Sequence, residues 1–370
     1  MAAGTPAIEI GLARPEDDPE LRRILRDNPM PGGIALTLQR EPAFHLGATI
    51  EGDRHDVVVG RMPESGRVVG LGSYSVRDAF VNGERTRLGY LSQLRIDPAF
   101  RGRWLLGRGY KAIRACHEAP LAITTVFAEN ERARALLELD RPPKPSYRRR
   151  GVLCTLGVPV RRRGRPRAAS RAAVRPAARD DVEAIAACLQ RNLQRYQFAP
   201  VWTAADLLDG ERTRGLAPTD FFVVTDGERV AGCVALWDQQ AYKQTVVHGY
   251  RGALRLARPV LNCAAALSGW PRLPAPGQTL GHAYVSHLAV DDDDPAIARA
   301  LLTAVYRAAG GRYAFLTVGL TDRHPLLAVL KGCFWHLEYR SILYVTFWDD
   351  GAAAAAALDD RAPHVETAVL

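Results

Sequence analysis

The apolar positions of this chain change period along its length, and the changes predict a definite order of elements. Val57-Val-Val-Gly60 and Arg67-Val-Val-Gly70 alternate as half-buried strands do. Asn82-Gly83, directly after Phe80-Val81, predicts a tight hairpin turn into the next strand. Tyr90 to Ile96 reads as a strand stopped by Asp97-Pro98, and Arg108 to His117 then takes up helical spacing. Leu121 to Phe127 predicts another strand and Asn130 to Leu139 another helix. Pro142-Pro143 and Pro145 break the chain before a closing strand at Val152 to Val158.

The same order is written twice. Arg14-Pro-Glu-Asp-Asp-Pro-Glu-Leu21 is echoed from Arg175, in both places leading from a short strand into an acid-capped amphipathic helix. Gly66-Arg-Val-Val-Gly70 matches Glu228-Arg-Val-Ala-Gly232, and Tyr90-Leu-Ser-Gln-Leu-Arg-Ile-Asp97 matches Tyr284-Val-Ser-His-Leu-Ala-Val-Asp291. Thr125-Val126 and Tyr147-Arg148 match Thr317-Val318 and Tyr339-Arg340. The early matches are offset by about 162 positions and the later ones by 192 to 194. An insertion of some thirty residues therefore lies near 246–278, with helical stretches at Gly252 to Leu256 and Leu261 to Leu267. It is expected to cover the first half's gap or a dimer face. The predicted class is α/β, two tandem domains, each a mixed and mostly antiparallel sheet flanked by helices. The expected divisions are 1–160, an Arg-rich linker at 161–173, a second domain at 174–350, and a low-complexity tail at 351–370 that frays or stays disordered.

Charge changes this picture in one place. The chain has 370 residues and a formal net charge of +9. Eleven arginines and no lysine or acid lie between Arg148 and Arg179, so the remainder carries 9 − 11 = −2. Basicity thus belongs to one segment, whose Arg161-Arg-Arg-Gly-Arg-Pro-Arg167 reads as a solvated linker. Without interleaved aromatic residues to stack bases, a nucleic-acid partner is disfavoured. No apolar run is long enough to span a bilayer, which gives the expectation of no membrane partner. Six isolated cysteines and the absence of a basic-then-apolar N-terminus give the expectation of a cytoplasmic protein with reduced core thiols.

Candidate chemistry sits where a strand, an arginine- and glycine-rich loop and a helix meet, at Leu94-Arg-Ile-Asp-Pro-Ala-Phe-Arg-Gly-Arg-Trp-Leu-Leu-Gly-Arg-Gly-Tyr110. Backbone N–H groups at a helix N-terminus, glycines allowing close approach, and the guanidinium groups of Arg101, Arg103 and Arg108 suit a pyrophosphate. In this order of elements the chain resembles the GCN5-related N-acetyltransferase superfamily, over Ile8 to Val158 and more loosely over Val174 to Trp348. The resemblance implies an acetyl-CoA or other acyl-CoA co-substrate. Leu94, Arg95 and Ile96 would pair with its pantetheine arm, and Arg101, Gly102, Arg103, Gly107, Arg108 and Gly109 would wrap its pyrophosphate. Asn130 would open the neighbouring helix, and the thioester would lie where two strands part. This loop has one residue more than the usual family pattern, and Leu137 stands where many members carry an acidic tyrosine.

N-acyl transfer needs a deprotonated amine, a polarised thioester carbonyl and a proton for the departing thiolate. The candidates are Tyr90, Ser92 on its face, Glu129 at the mouth of the next strand, and Glu51 ahead of the strands. Tyr90 also reads as a strand packing residue and Glu129 as a helix cap. The second half has no glycine loop: Asp291 to Asp294 stand there, expected to repel a pyrophosphate and raise one another's pKa. His282, His287, His324 and His336 lack metal-ligand spacing. The expected function is acyl-CoA-dependent N-acyl transfer to a small-molecule or peptide amine by direct attack, in a possible homodimer. The alternative is a non-catalytic binding or scaffold protein of the same fold.

Overall fold

Each half opens on the same cap. In a computed structural model describing residues 7–30, 32–102, 105–161 and 173–370, the Asp17 carboxylate accepts the Arg14 N–H at 2.7 Å. Asp181 does the same for Ala178, also at 2.7 Å. A carboxylate on the free N–H groups of a helix start satisfies donors that have no intrahelical partner.

The first half runs β1 (Glu9–Leu12), α1 (Asp18–Asp27), β2 (Ile34–Gln39), α2 (Phe44–Ala48) and β3 (Arg54–Arg61). The hairpin β4 (Val68–Val81) and β5 (Glu84–Ile96) then turns at Asn82 and Gly83, with φ of 54° and 84°. Positive φ at both positions is what a two-residue turn between right-twisted strands requires. α3 (Leu105–Cys116), β6 (Ala122–Phe127), α4 (Glu131–Glu138) and β7 (Ser146–Pro159) complete this half. The second half repeats the plan with β8 (Val174–Pro176), α5 (Val182–Leu193), β9 (Ala199–Pro200), α6 (Ala204–Asp209), β10 (Phe221–Asp226) and β11 (Arg229–Trp237). β12 (Gln244–Tyr250) and α7 (Gly252–Ser268) form the insertion, where a single helix containing Pro259 replaces the two stretches expected. β13 (His282–Val290), α8 (Pro295–Ala309), β14 (Phe315–Thr321), α9 (Leu327–Cys333), β15 (Leu337–Phe347) and α10 (Ala352–Ala356) follow. Of the linker expected at 161–173, only Arg161 and Ala173 fall within the described residues.

One sheet runs through both halves, in the order β1-β3-β4-β5-β6-β15-β7-β14-β13-β11-β10-β8, with β9 added against β4. The last strands are exchanged. β15 lies between β6 and β7, antiparallel to both, and β7 lies against β14. Apolar burial follows the exchange: Leu343 and Val345 share a core with Leu88, Tyr90 and Ile123, while Leu156 and Val158 pack among Val285, Leu301 and Val318. β2 and β12 form a separate ribbon that also joins the halves.

Two expectations change here. The tail is ordered: Val365, Ala368 and Val369 are at most 1% exposed, because they fill space between the halves. And Cys263, expected in the core with the other thiols, is exposed on α7.

With each closing strand held by the other half, the chain is expected to unfold in one calorimetric transition. Leu343→Ala, at a fully buried site in the exchanged strand, should lower that transition by about 2–5 kcal/mol without splitting it. Residues 1–160 alone should fail to fold, since β7 would lack both neighbours. A separately folded fragment, seen by a cooperative melt, would refute this.

Candidate functional site

β5 and β6 run parallel and pair only at Gly89–Ala122 and Tyr90–Ile123. Beyond Tyr90 they part. Gln93, with φ of 53°, makes a bulge as β5 shifts register against β4, and exposed Leu94 and Phe127 stand along the parted strands. The second half is built alike: β13 and β14 pair as far as Tyr284–Thr317, and His287, with φ of 54°, repeats the bulge. The repeat read in the sequence is therefore a repeat of strand geometry.

The two gaps differ in what fills them. In the second, the Glu366 carboxylate accepts the main-chain N–H of the bulge residue His287 at 2.8 Å. Thr367 sits so close to Gly319 that a Cβ there would come within 2.3 Å of its hydroxyl. The chain's own tail occupies that gap. The aspartates beside it are engaged rather than repelling: Asp291 accepts from Arg191, Asn192 and Arg229, Asp293 from Tyr196, and Asp294 caps α8. Burial pushes Asp291 up, but these partners outweigh it and hold the carboxyl below its usual value, contrary to the expected upward shift.

At the first gap the structure brings together three of the sequence candidates. Tyr90 and Ser92 share the face of β5 that looks onto Glu51, and the Ser92 hydroxyl donates to Glu51 Oε2 at 2.8 Å. Ser75 donates to the same oxygen at 3.2 Å, and Arg40 is paired with Oε1. Glu51 is wholly buried. Burial opposes its charge, but the Arg40 guanidinium, and then the Ser92 hydrogen bond, hold its carboxyl below the ordinary range. Tyr90 is the reverse case: burial and then the Glu51 charge push its hydroxyl well above the ordinary value, so it keeps its proton.

Sequence reasoning missed most of the surrounding shell. His55 donates to or accepts from Ser75 at 2.6 Å and is pushed down by burial to about 4. Arg77, 1% exposed, donates to the Glu51 carbonyl at 3.1 Å and leaves Nε and Nη2 without a partner among the described residues. Lys243, from the second half, donates to the main-chain oxygens of Ala368 and Leu370 at 3.1 and 2.7 Å. Burial, then Arg40, lowers it to about 7.

Of the remaining candidates Arg95 feels the charges of Arg40 and Tyr90, and the others lie beyond this cluster. Glu129 is exposed beyond β6, away from this cluster, and Asn130 rather than Glu129 caps α4, accepting from Ala133 N–H at 3.2 Å. Arg95 is half-buried and donates to the Leu94 carbonyl. Arg101 donates to the Ile96 carbonyl and Arg108 to that of Ile8, both at the surface. Gly102 has φ of 82°, which favours glycine; a Cβ on Gly109 would meet nothing within 4 Å, and one on Gly107 would only touch Pro143. Arg103 lies outside the described residues. Past Tyr90 the edge of β5 toward β6 has no strand partner among the described residues, and Arg101 and Gly102 follow its end; both suit a ligand carrying amides and phosphates. Among the described residues no group of three metal-ligating side chains converges.

No family model and no curated protein matches this chain. Solved structures do match in shape. A GCN5-related N-acetyltransferase from Kribbella flavida is 14% identical, with a TM-score of 0.51 over 97% of this chain and 75% of its own. Saccharomyces cerevisiae N-myristoyltransferase with bound myristoyl-CoA is 12% identical, with a TM-score of 0.57 over 93% and 85%. A probable N-acyltransferase from Enterococcus faecalis is 10% identical, at 0.51 over 92% and 72%. At such identities the likeness is one of fold, and the fold is the tandem GCN5-related acetyltransferase fold.

Glu366 provides a pH test of the filled gap. Burial raises it from 4.5 to about 7, against the hydrogen bonds from His287 and Ala368. A carboxyl raised in the folded state favours folding while protonated, so stability falls as pH climbs from 4.5 to 7 and stays lower above. Glu366→Gln removes that slope. Its stability relative to the parent, measured by urea unfolding, should be more favourable at pH 8 than at pH 4.5 by up to about 3 kcal/mol. An equal difference at both pH values would contradict the assignment.

Proposed function

We propose that this protein is an acyl-CoA-dependent N-acyltransferase using the gap of the first half, with acetyl-CoA its co-substrate and a small-molecule or peptide amine the acceptor. The observation that carries the reading is the contrast between the gaps: strands part past the matching tyrosines Tyr90 and Tyr284, and among the described residues the tail fills the second gap. Arg101 and Gly102 after β5, the first turns of α3 with Gly107, Arg108 and Gly109, and the acyltransferases that share the fold support it.

In this reading the amine nitrogen attacks the thioester carbonyl, forming the C–N bond as the C–S bond breaks, and the electron pair leaves with the thiolate. Tyr90, which retains its proton, would protonate that thiolate, and the proton shed by the attacking nitrogen would return to Tyr90 through a water held by Ser92. Glu51 is too firmly paired with Arg40 to serve as a strong base; with Ser92 it would orient the incoming amine or a water. Deprotonation is favoured by the surroundings instead. Burial, and then the Arg40 charge, lower Lys243 to about 7, and an amine entering the same cluster would meet the same two effects, which favour its neutral, nucleophilic form.

Among the described residues the carboxylate beside Ser92, that of Glu51, is committed to Arg40, which favours the second reading, a protein that binds an acyl-CoA without turning it over. Thermal shift with acetyl-CoA and release of free thiol with an amine panel separate the two. Stabilisation by acetyl-CoA is expected, weakened at least about tenfold in affinity by Arg101→Glu with Arg108→Glu. Tyr90→Phe should lower kcat about ten- to a hundredfold with KM little changed, whereas Glu129→Gln should have no effect. Absence of binding at millimolar acetyl-CoA would refute the proposal. Binding without thiol release would establish the second reading.

A further inference from the structure

The inserted helix α7 has its sides reversed. The positions toward the body of the protein are Leu254, Arg258, Asn262 and Ala265. Arg258 stacks 5.5 Å from the Tyr250 ring, and Asn262 exchanges hydrogen bonds with the Leu273 main chain at 3.0 and 2.7 Å. Facing solvent are Leu256, Val260 and Leu267, which are 82%, 70% and 92% exposed, with exposed Cys263 between them. Spacings of four, three and four place these residues on one stripe of the helix. A helix that only covered the protein would bury that stripe and turn its arginine and asparagine outward. An unpartnered row of large aliphatic side chains marks a docking surface.

Charge indicates what covers it. No acidic residue occurs between Asp238 and Asp291, whereas Arg255 lies on the helix beside the stripe and Arg251 and Arg272 lie beyond its two ends. At the end of the helix Arg161 stacks 5.0 Å from the Trp270 ring, and Trp270 meets half-exposed Trp335 edge-on at 5.5 Å. A second copy of α7 would set arginines against arginines along a seam with no acid to pair them. The surface is a row of exposed aliphatic residues on one helix, in a segment that carries cations and no acid, ended by indoles. Those are the requirements of a helix lying flat in an anionic bilayer surface: aliphatic side chains among the acyl chains, guanidinium groups at the headgroups, indoles at the boundary.

We propose that α7 docks this protein on anionic lipid surfaces. The expectation of no membrane partner rested on the lack of a spanning segment. No described helix is long and apolar enough to cross a membrane. A helix resting on the surface needs none.

The full chain is to be tested with equimolar phosphatidylcholine–phosphatidylglycerol vesicles and with pure phosphatidylcholine vesicles, by co-sedimentation. An environment-sensitive fluorophore on Cys263 gives a second readout. Binding to the anionic vesicles, a blue shift of the label and at least about tenfold weaker binding to phosphatidylcholine are expected. Leu256→Asp with Leu267→Asp should abolish both signals while leaving the melting temperature unchanged, because both side chains are solvated in the folded chain. Arg255→Glu should weaken binding and its salt dependence. No binding to anionic vesicles, or binding unaltered in the double variant, would overturn the proposal. So would a dimer in size-exclusion chromatography that the double variant converts to monomer, since the stripe would then be a contact between copies.

Discussion

The insertion of β15 between β6 and β7 is the constraint on which the rest of this molecule depends. β6 hydrogen-bonds along its whole length to a strand from the other half, from Ala122–Thr346 to Phe127–Ser341. It therefore keeps its direction without help from β5, with which it shares only two paired positions. A strand held on one edge can afford to part from its neighbour on the other. The gap beyond Tyr90 is stable because the exchange makes it so, and the same holds in mirror fashion for β14, which leans on β7.

The exchange also delivers the tail. β15 ends beside the start of β6, and the chain continues through α10 and back between the halves. There Gln197 and Pro363 form a bridge, Gln239 and Lys243 bind the carbonyls near Ala368, and Glu366 reaches the His287 bulge. One segment thus closes the second gap and supplies the floor beneath the Tyr90–Ser92–Glu51 face of the first. Two halves built on one plan thus become chemically unequal at their gaps. The aspartate run from Asp291 contributes little to this asymmetry, since its charges are spent on α5 and on the cap of α8.

Local features were legible from the sequence, and pairings between distant segments were not. The hairpin at Asn82-Gly83, the aspartate caps, the strand–loop–helix junction and the repeat all follow from periods and turn residues a few positions apart. Strand exchange depends on which edge β7 and β15 find, and nothing local distinguishes one half's edge from the other's. The tail misled for a similar reason: its alanines and short polar residues have the composition of a frayed end, yet they fill a space that only the folded halves create. The buried polar cluster did leave a signal. Ser73, Ser75 and Arg77 occupy alternate positions of β4, all nearly inaccessible, on the face where a core strand would carry aliphatic residues. Opposite them, Ser92 pairs with Ser73 and Tyr90 with Ser75. Polar residues at a period of two on adjacent strands point to one shared buried site.

That cluster also weighs between a scaffold and an enzyme. A buried guanidinium with uncommitted donors is costly, because each unpaired N–H gives up its water for nothing. Among the described residues Arg77 leaves two such nitrogens without a hydrogen-bond partner and Arg40 one, within a region where Lys243 is already driven toward its neutral form. A protein that used this fold only for shape would lose nothing by replacing these residues with aliphatic ones, and would gain stability. An acyltransferase, in contrast, must hold an amine neutral and stabilise the oxyanion that forms when it attacks a thioester. A buried excess of positive charge next to a parted pair of strands does both at once. Under the proposed reaction these donors have a role, whereas in a scaffold they are only a cost.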